Sequence, residues 1–291
     1  MELFLKISFI VIASLGILLI CLRLLMRKIL SNNRLFALIA KKFYNYYYSF
    51  NKINHLRTNN FGFAPIDEEV AVYEPDLRHG IQLYKELAKN HNGYMINENS
   101  SVVEVGCGKG AGAEFFIKKF QPKNYTGIDF SEKAIDFCTS TYKQNDDINF
   151  ICADAQNIPL AEDSADVVVN VESSHLYKNQ DIFFKEVYRI LRTNGKFLFT
   201  DYRCIKKCTI DTLEKDLLSC GFSISEKRII TPQILTACME ASERRSQLVK
   251  EVIPWFLRKY FRHYAILNGS KKFVMLANGE IVYFIYHLEK K

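Results

Sequence analysis

Three glycines at alternate positions, Gly106, Gly108 and Gly110, close the run Val102-Val103-Glu104-Val105-Gly106-Cys107-Gly108-Lys109-Gly110. An apolar run ending in such a loop, with a helical pattern behind it from Ala111 to Phe120, offers a ligand bare backbone and the positive end of a helix. Two carboxylates follow at the ends of the next apolar runs. Asp129 stands 19 residues after Gly110, where it can accept from both hydroxyls of a ribose. Asp154, in Cys152-Ala153-Asp154-Ala155, can accept from an exocyclic amine. Each carboxylate alone reads more often as a cap or turn residue; behind one glycine loop, at successive strand ends, they read as a nucleoside site.

Two cofactors fit such a loop. Gly106-x-Gly108-x-x-Ala111 matches the dinucleotide fingerprint, a weak signal alone. Glu104, just before the turn, would face a pyrophosphate badly, and the third glycine comes two residues after the second rather than three. S-adenosyl-L-methionine answers both points. Its carboxylate suits the helix end, its ammonium suits Glu104, and its ribose and adenine suit Asp129 and Asp154. Phe130, Ala155 and Asn170 complete the expected cofactor set. Cys204 and Cys208 form a lone C-x3-C with no second pair, so no metal site is expected.

Methyl transfer from a sulfonium is an in-line displacement that must align the acceptor and often remove its proton. His175 follows the apolar run Ala165–Val171 in Asn170-Val171-Glu172-Ser173-Ser174-His175, and Asp201 ends the next strand pattern. Neighbouring strand ends would bring the two together as base and orienting carboxylate; a capping or packing histidine is the plainer reading. Phe61 and Phe63, upstream in Asn59-Asn60-Phe61-Gly62-Phe63, either stack near the sulfonium or pack in the core. The other histidines have no comparable placement.

These residues need a frame that brings strand ends together. Strand patterns at Ser101–Val105, Tyr125–Asp129, Ile148–Cys152, Ala165–Val171 and Gly195–Asp201 alternate with helical ones at Ala111–Phe120, Ser131–Tyr142 and Asp181–Arg192. That order implies an α/β fold with a doubly wound sheet and ligands at the C-terminal strand ends. A helix at Asp211–Cys220, strands at Phe222–Ile230 and Val282–Leu288, and a helical insert between them complete the pattern. The insert, 231–264, carries Trp255, Phe256, Tyr260, Phe261 and Tyr264, which would form either a substrate lid or ordinary core.

The 291 residues, 48% hydrophobic, suffice for one sizeable core. Of the net charge of +7, nine basic residues with no acidic one lie between Leu3 and Ile66, which leaves the rest close to neutral. A basic catalytic face for nucleic acid is therefore not expected. The basic excess flanks the uncharged run Ile7–Leu22, which spans roughly 24 Å as a helix against the ~30 Å of a bilayer core. With Lys6 and Arg23 snorkelling, Leu3–Met26 would reach roughly 36 Å. The expectation is thus a single-pass transmembrane anchor at 3–26, a basic juxtamembrane segment at 27–57 and a catalytic domain at 58–291 on the cytosolic side of a membrane. Residues 35–50 would lie on the bilayer or pack on the domain.

The motifs VVEVGCGKG, YTGIDFS, FICADAQNIPL, DVVVNVESSH and YRILRTNGKFLFTD together resemble a class I methyltransferase from end to end. NVESSHLY, GIDFSEKAIDFC and RRSQLVKEVIPWFLRKY further resemble the phthiotriolone and phenolphthiotriolone dimycocerosates methyltransferases, which O-methylate long lipids; the likeness spans residues 58–289. It implies a Rossmann-like, seven-stranded methyltransferase sheet with a helical lid insert, S-adenosyl-L-methionine as cofactor, and O-methylation of a hydroxyl on a hydrophobic or lipid-like small molecule. Similar sugar and antibiotic O-methyltransferases carry a His and an Asp at places matching His175 and Asp201. Carbon or nitrogen methylation of a sterol-like acceptor is the alternative. A non-catalytic, cofactor-binding assembly factor is another, and the intact glycine loop speaks against it. The N-terminal apolar run departs from the family pattern.

Overall fold

The computed structural model describes residues 41, 42, 45, 48, 57–142, 147–206, 208–253, 255, 258, 262 and 265–291. Two short helices, α1 (Glu68–Ala71) and α2 (Arg78–Leu87), and a small hairpin, β1 (Lys89–Asn90) with β2 (Gly93–Tyr94), precede the main sheet. The chain then alternates β3 (Ser101–Val105), α3 (Ala111–Phe120), β4 (Asn124–Asp129), α4 (Glu132–Thr141) and β5 (Ile148–Cys152). It continues through β6 (Ala165–Val171), α5 (Gln180–Ile190) and β7 (Leu191–Cys204). The last part comprises α6 (Ile210–Ser219), β8 (Phe222–Ile229), α7 (Thr231–Glu240), α8 (Ser242–Val252), α9 (Lys271–Ala277) and β9 (Ile281–Lys290).

Seven strands form one sheet in the order β5-β4-β3-β6-β7-β9-β8. The pairings from β5 through β7 are parallel, whereas β9 runs antiparallel to both β7 and β8. The sheet is therefore mixed rather than wholly parallel. Parallel strands covered on both faces should be continuously apolar. All five residues of β3 are buried, as are six of the seven in Ala165-Asp166-Val167-Val168-Val169-Asn170-Val171. One core cluster joins Phe115, Phe116, Leu83 and Tyr283; the other joins Phe183, Phe184, Phe197 and Phe199. Chain order reverses direction between β3 and β6, which opens a crevice at their C-terminal ends.

Several expectations need correction. Among the described residues no helix is long and apolar enough to cross a membrane, and the segment expected to do so, 3–26, lies outside them. Its uncharged core already fell short of the hydrocarbon thickness and needed two snorkelling cations. The transmembrane helix, the membrane partner and the membrane localisation are therefore withdrawn. Residues 27–40 also lie outside the described residues. The helical insert breaks into α7 and α8, and Phe256, Tyr260, Phe261 and Tyr264 are not among the described residues. Trp255 is 78% exposed, so it is no part of the core.

Candidate active site

The glycine loop turns tightly because β3 ends against β4: Gly106 and Cys107 N–H both donate to the Ile128 carbonyl, at 2.7 and 3.0 Å. Gly106 holds φ at +79°, and a Cβ there would overlap the Ser173 hydroxyl. Gly110 caps α3 at φ +73°, in the left-handed region that a side chain disfavours. The loop is thus fixed from below by the segment that follows β6.

Asp129 ends β4 and ties two neighbours together. Its Oδ2 accepts from Gly108 N–H and its Oδ1 from Ser131 N–H, both at 2.9 Å. A carboxylate has about four acceptor sites, so these bonds orient it and leave capacity for a diol. Burial raises its carboxyl above the ordinary range, against the pull of these backbone donors. Phe130, beside it, is half-buried. Asp154 Oδ1 accepts from Gln156 N–H at 2.9 Å, Gln156 Oε1 accepts from Asn179 N–H at 3.1 Å, and Ala155 is buried. Asn170, fully buried in β6, donates through Nδ2 to Val105 O at 2.8 Å and to Ser173 Oγ at 2.7 Å. Its Oδ1 is buried with no hydrogen-bond partner among the described residues, an acceptor held ready at the crevice floor.

Glu104 behaves otherwise than the sequence suggests. It is fully buried, and its two oxygens accept from the hydroxyls of Tyr84 (2.7 Å) and Tyr125. A Cβ on Gly112 of α3 would meet the same carboxylate. Burial pushes its carboxyl up to about 7, against the two tyrosine hydrogen bonds. The structure therefore sets Glu104 under the loop, between β3, β4, α2 and α3, and does not group it with the residues of the crevice.

His175 sits in a 3-10 turn, Ser174–Leu176, just past β6. Its Nδ1 lies 2.8 Å from Asp201 Oδ1, and its backbone N–H donates to Asp201 Oδ2 at 2.9 Å. Ser174 Oγ donates to Asp201 at 2.5 Å, and Tyr202 N–H donates at 2.8 Å. Burial alone would raise the Asp201 carboxyl. The charges of His175 and Arg203 and the bonds from His175 and Ser174 outweigh it and hold the group well below the carboxylate range. With Nδ1–H given to that anion, the imidazole presents Nε2 as an acceptor, and the His175 side chain is one-fifth exposed.

Aromatic rings surround the histidine. Tyr202 lies with its ring centroid 4.4 Å from that of His175, and Phe61 stacks on Tyr202 at 5.1 Å. Phe61 and Phe63 are both buried in the same core cluster, and Phe61 is linked to the histidine through the Tyr202 ring. Four residues here escaped the sequence reading: Glu172, Tyr202, Lys272 and Tyr283. Glu172, at φ +48°, accepts from Phe61 N–H (2.7 Å) and Tyr283 OH (2.8 Å). Lys272 donates to Tyr202 OH at 2.7 Å. Only Glu172 had a signal to give, as a carboxylate within Asn170-Val171-Glu172-Ser173-Ser174-His175. Elsewhere, His79 pairs with Glu240, His287 Nε2 bonds Leu87 O, and His91 is mostly exposed; His55 and His263 lie outside the described residues.

A mixed seven-stranded sheet with β9 inserted antiparallel, a glycine loop after the first parallel strand and carboxylates after the next two define a Rossmann-like methyltransferase. Residues 103–199 match the family model described as a methyltransferase domain. The chain is 31% identical over 217 residues to the phthiotriol/phenolphthiotriol dimycocerosates methyltransferase of Mycobacterium leprae, covering 75% of this chain and 77% of that one. It is 34% identical over 187 residues to the fatty-acid O-methyltransferase of Mycolicibacterium smegmatis, covering 64% of this chain and 66% of that one. The geranyl diphosphate C-methyltransferase of Streptomyces coelicolor A3(2), solved with S-adenosyl-L-homocysteine, superposes with a TM-score of 0.61 at 13% identity, covering 86% of this chain and 98% of that one. The chain belongs to the class I S-adenosylmethionine-dependent methyltransferases: it is an enzyme, and S-adenosyl-L-methionine is its cofactor.

Proposed function

We propose that the protein O-methylates a hydroxyl on a hydrophobic, lipid-like acceptor, with His175 as the base and Asp201 as its orienting carboxylate. The observation that carries this reading is the 2.8 Å contact between His175 Nδ1 and a buried, ionised Asp201 at the ends of adjacent parallel strands. The cofactor supplies an electrophilic methyl group on a sulfonium. Asp129 and Asp154 would hold its ribose and adenine. The turn of Gly106, Gly108 and Gly110, with Asn170 beneath, would hold its amino-acid end, and Phe130 and Ala155 would flank the nucleoside. The orphaned Asn170 Oδ1 and the spare acceptor sites of Asp129 support that fit. Glu104 acts one layer below, fixing β3 against Tyr84 and Tyr125.

His175 Nε2 would take the acceptor's proton as the acceptor oxygen receives the methyl group that the bound cofactor would supply. Asp201 keeps the imidazole in the tautomer that can do so and stabilises the imidazolium that results. Phe61, Tyr202 and Tyr283 give the acceptor side an aromatic wall. The names of the mycobacterial relatives support a lipid-like acceptor. The test is incubation of the protein with methyl-labelled cofactor and a lipid extract. Label should enter a chloroform-soluble product, and His175→Ala should abolish it while leaving cofactor binding intact. Label found only in protein or nucleic acid would sink the lipid reading.

A further inference from the structure

Tyr202 stands where four distant parts of the chain meet. It follows Asp201 on β7; His175 and Phe61 lie against its ring, and Tyr283 of β9 lies 6.2 Å away between centroids. Lys272, in the first turn of α9, donates to its phenol oxygen at 2.7 Å. The same ammonium lies over the rings of Phe61 (4.7 Å) and Tyr202 (4.4 Å), in an aromatic sleeve. Burial pulls Lys272 below the usual lysine range, while the charges of Glu172 and Asp201 push it back up. The sleeve itself is pinned. Glu172 accepts from Phe61 N–H, and Arg245 donates to Phe61 O at 2.8 Å, so that residue is held at both ends by ionisable side chains.

Packing alone gives no reason for this arrangement. An apolar side chain of similar length would fill the sleeve without the cost of desolvating an ammonium. A lysine there is useful if its charge is used. Because the phenol oxygen accepts from Lys272, its own O–H is directed to a different partner, and the neighbouring cation makes that O–H a stronger donor. Apart from Asn170 in β6, the cofactor residues lie at the ends of β3, β4 and β5, whereas His175, Tyr202 and Lys272 gather around β6, β7 and β9. That is the side left for the acceptor.

We propose that Tyr202 is a catalytic residue whose hydroxyl donates to the acceptor oxygen beside His175, and that Lys272 is a positioning residue acting through it. This rests on the O-methylation reading above. Tyr202 keeps its proton throughout. It holds one lone pair of the acceptor oxygen so that another faces the methyl group, and it makes the acceptor's own proton easier for His175 Nε2 to remove.

The test compares two probes on the full chain, hexadecan-1-ol and hexadecane-1-thiol, in mixed micelles with methyl-labelled cofactor. The thiol is several orders of magnitude more acidic than the alcohol and a better nucleophile, so it needs far less help. Tyr202→Phe should lower alcohol turnover about 10- to 100-fold, the loss expected for one donor to a reacting oxygen. Thiol methylation should stay within about threefold, since that donor has little to add there. Lys272→Met should reproduce part of the loss and Lys272→Arg should restore most of it. In an ultraviolet titration, Lys272→Met should raise the ionisation midpoint of one tyrosine, the one that Tyr202→Phe removes. Equal losses on alcohol and thiol, or none on either, would overturn the proposal and leave the His175 reading standing. If the wild type methylates neither probe, that counts against the O-methylation reading, and the titration decides the pair: a midpoint unmoved by Lys272→Met overturns it.

Discussion

Replacing Asp201 with Asn keeps the volume and shape of the side chain and removes its charge. The carboxylate accepts four hydrogen bonds, from His175 Nδ1, His175 N, Ser174 Oγ and Tyr202 N, at 2.5–2.9 Å. An amide has one oxygen, so two of those donors lose their acceptor and face an NH2 group instead. If the amide oxygen turns toward the backbone N–H and Ser174, the NH2 faces Nδ1 and forces the imidazole proton onto Nε2, the atom that must be bare. If it turns toward Nδ1, the His175 peptide and Ser174 are left facing donors. Either way the imidazolium formed during transfer loses its counter-charge. Wrong-tautomer substitutions of this kind cost up to about 10⁴ in turnover, and general-base assistance contributes about 10² to 10⁴. We therefore expect Asp201→Asn to reduce kcat by at least about 10²-fold with KM for the cofactor changed little. Steady-state transfer of labelled methyl into the lipid product, beside calorimetric binding of S-adenosyl-L-homocysteine, separates the two effects. A kcat within threefold of the wild type, with normal cofactor binding, would refute the role assigned to the pair.

Two further substitutions, with a third as control, test the frame around the site. The Glu104 carboxyl moves from its ordinary 4.5 to about 7 on folding. The unfolded chain therefore releases this proton first, and stability falls as pH rises from about 4.5 to about 7, then levels off; at about 1.4 kcal/mol per pH unit the loss is at most about 3.5 kcal/mol. Glu104→Gln should flatten that slope in denaturant melts between pH 5 and 8, and an unchanged slope would show that another group sets it. Gly106→Ala forces a Cβ into the Ser173 hydroxyl at φ +79°, so cofactor affinity should fall more than about tenfold by calorimetry. Gly269→Ala, at φ +73° with nothing within 4 Å, shares the backbone strain of about 1–2 kcal/mol and should leave cofactor affinity unchanged.

The crevice was legible in the sequence wherever function follows strand order. Gly106, Asp129, Asp154 and His175 each stand at, or within four residues of, the C-terminal end of a parallel strand, and parallel strands place such ends side by side, so chain order translates into neighbourhood. Direction within a strand was not legible. β3 is buried on both faces, so no alternation of apolar and polar residues marks which way Glu104 points. Only the tyrosines of α2 and β4 decide it, and they lie about 20 residues away on either side. β7 begins four residues earlier than its pattern suggests because Arg192, Thr193 and Asn194 are polar and exposed at the sheet's rim; Arg192 reads as the end of the preceding helix, and the other two carry no strand pattern. Lys272 had no local signal at all. Its meaning comes from Phe61, Glu172 and Tyr202, up to about 210 residues distant, which meet only after β9 inserts beside β7. The cofactor half of this enzyme is therefore written in consecutive motifs. On the proposed reading, the acceptor half is assembled from single residues, Phe61, Tyr202 and Lys272 among them, by the antiparallel strand that completes the sheet, and those positions can change without disturbing a motif.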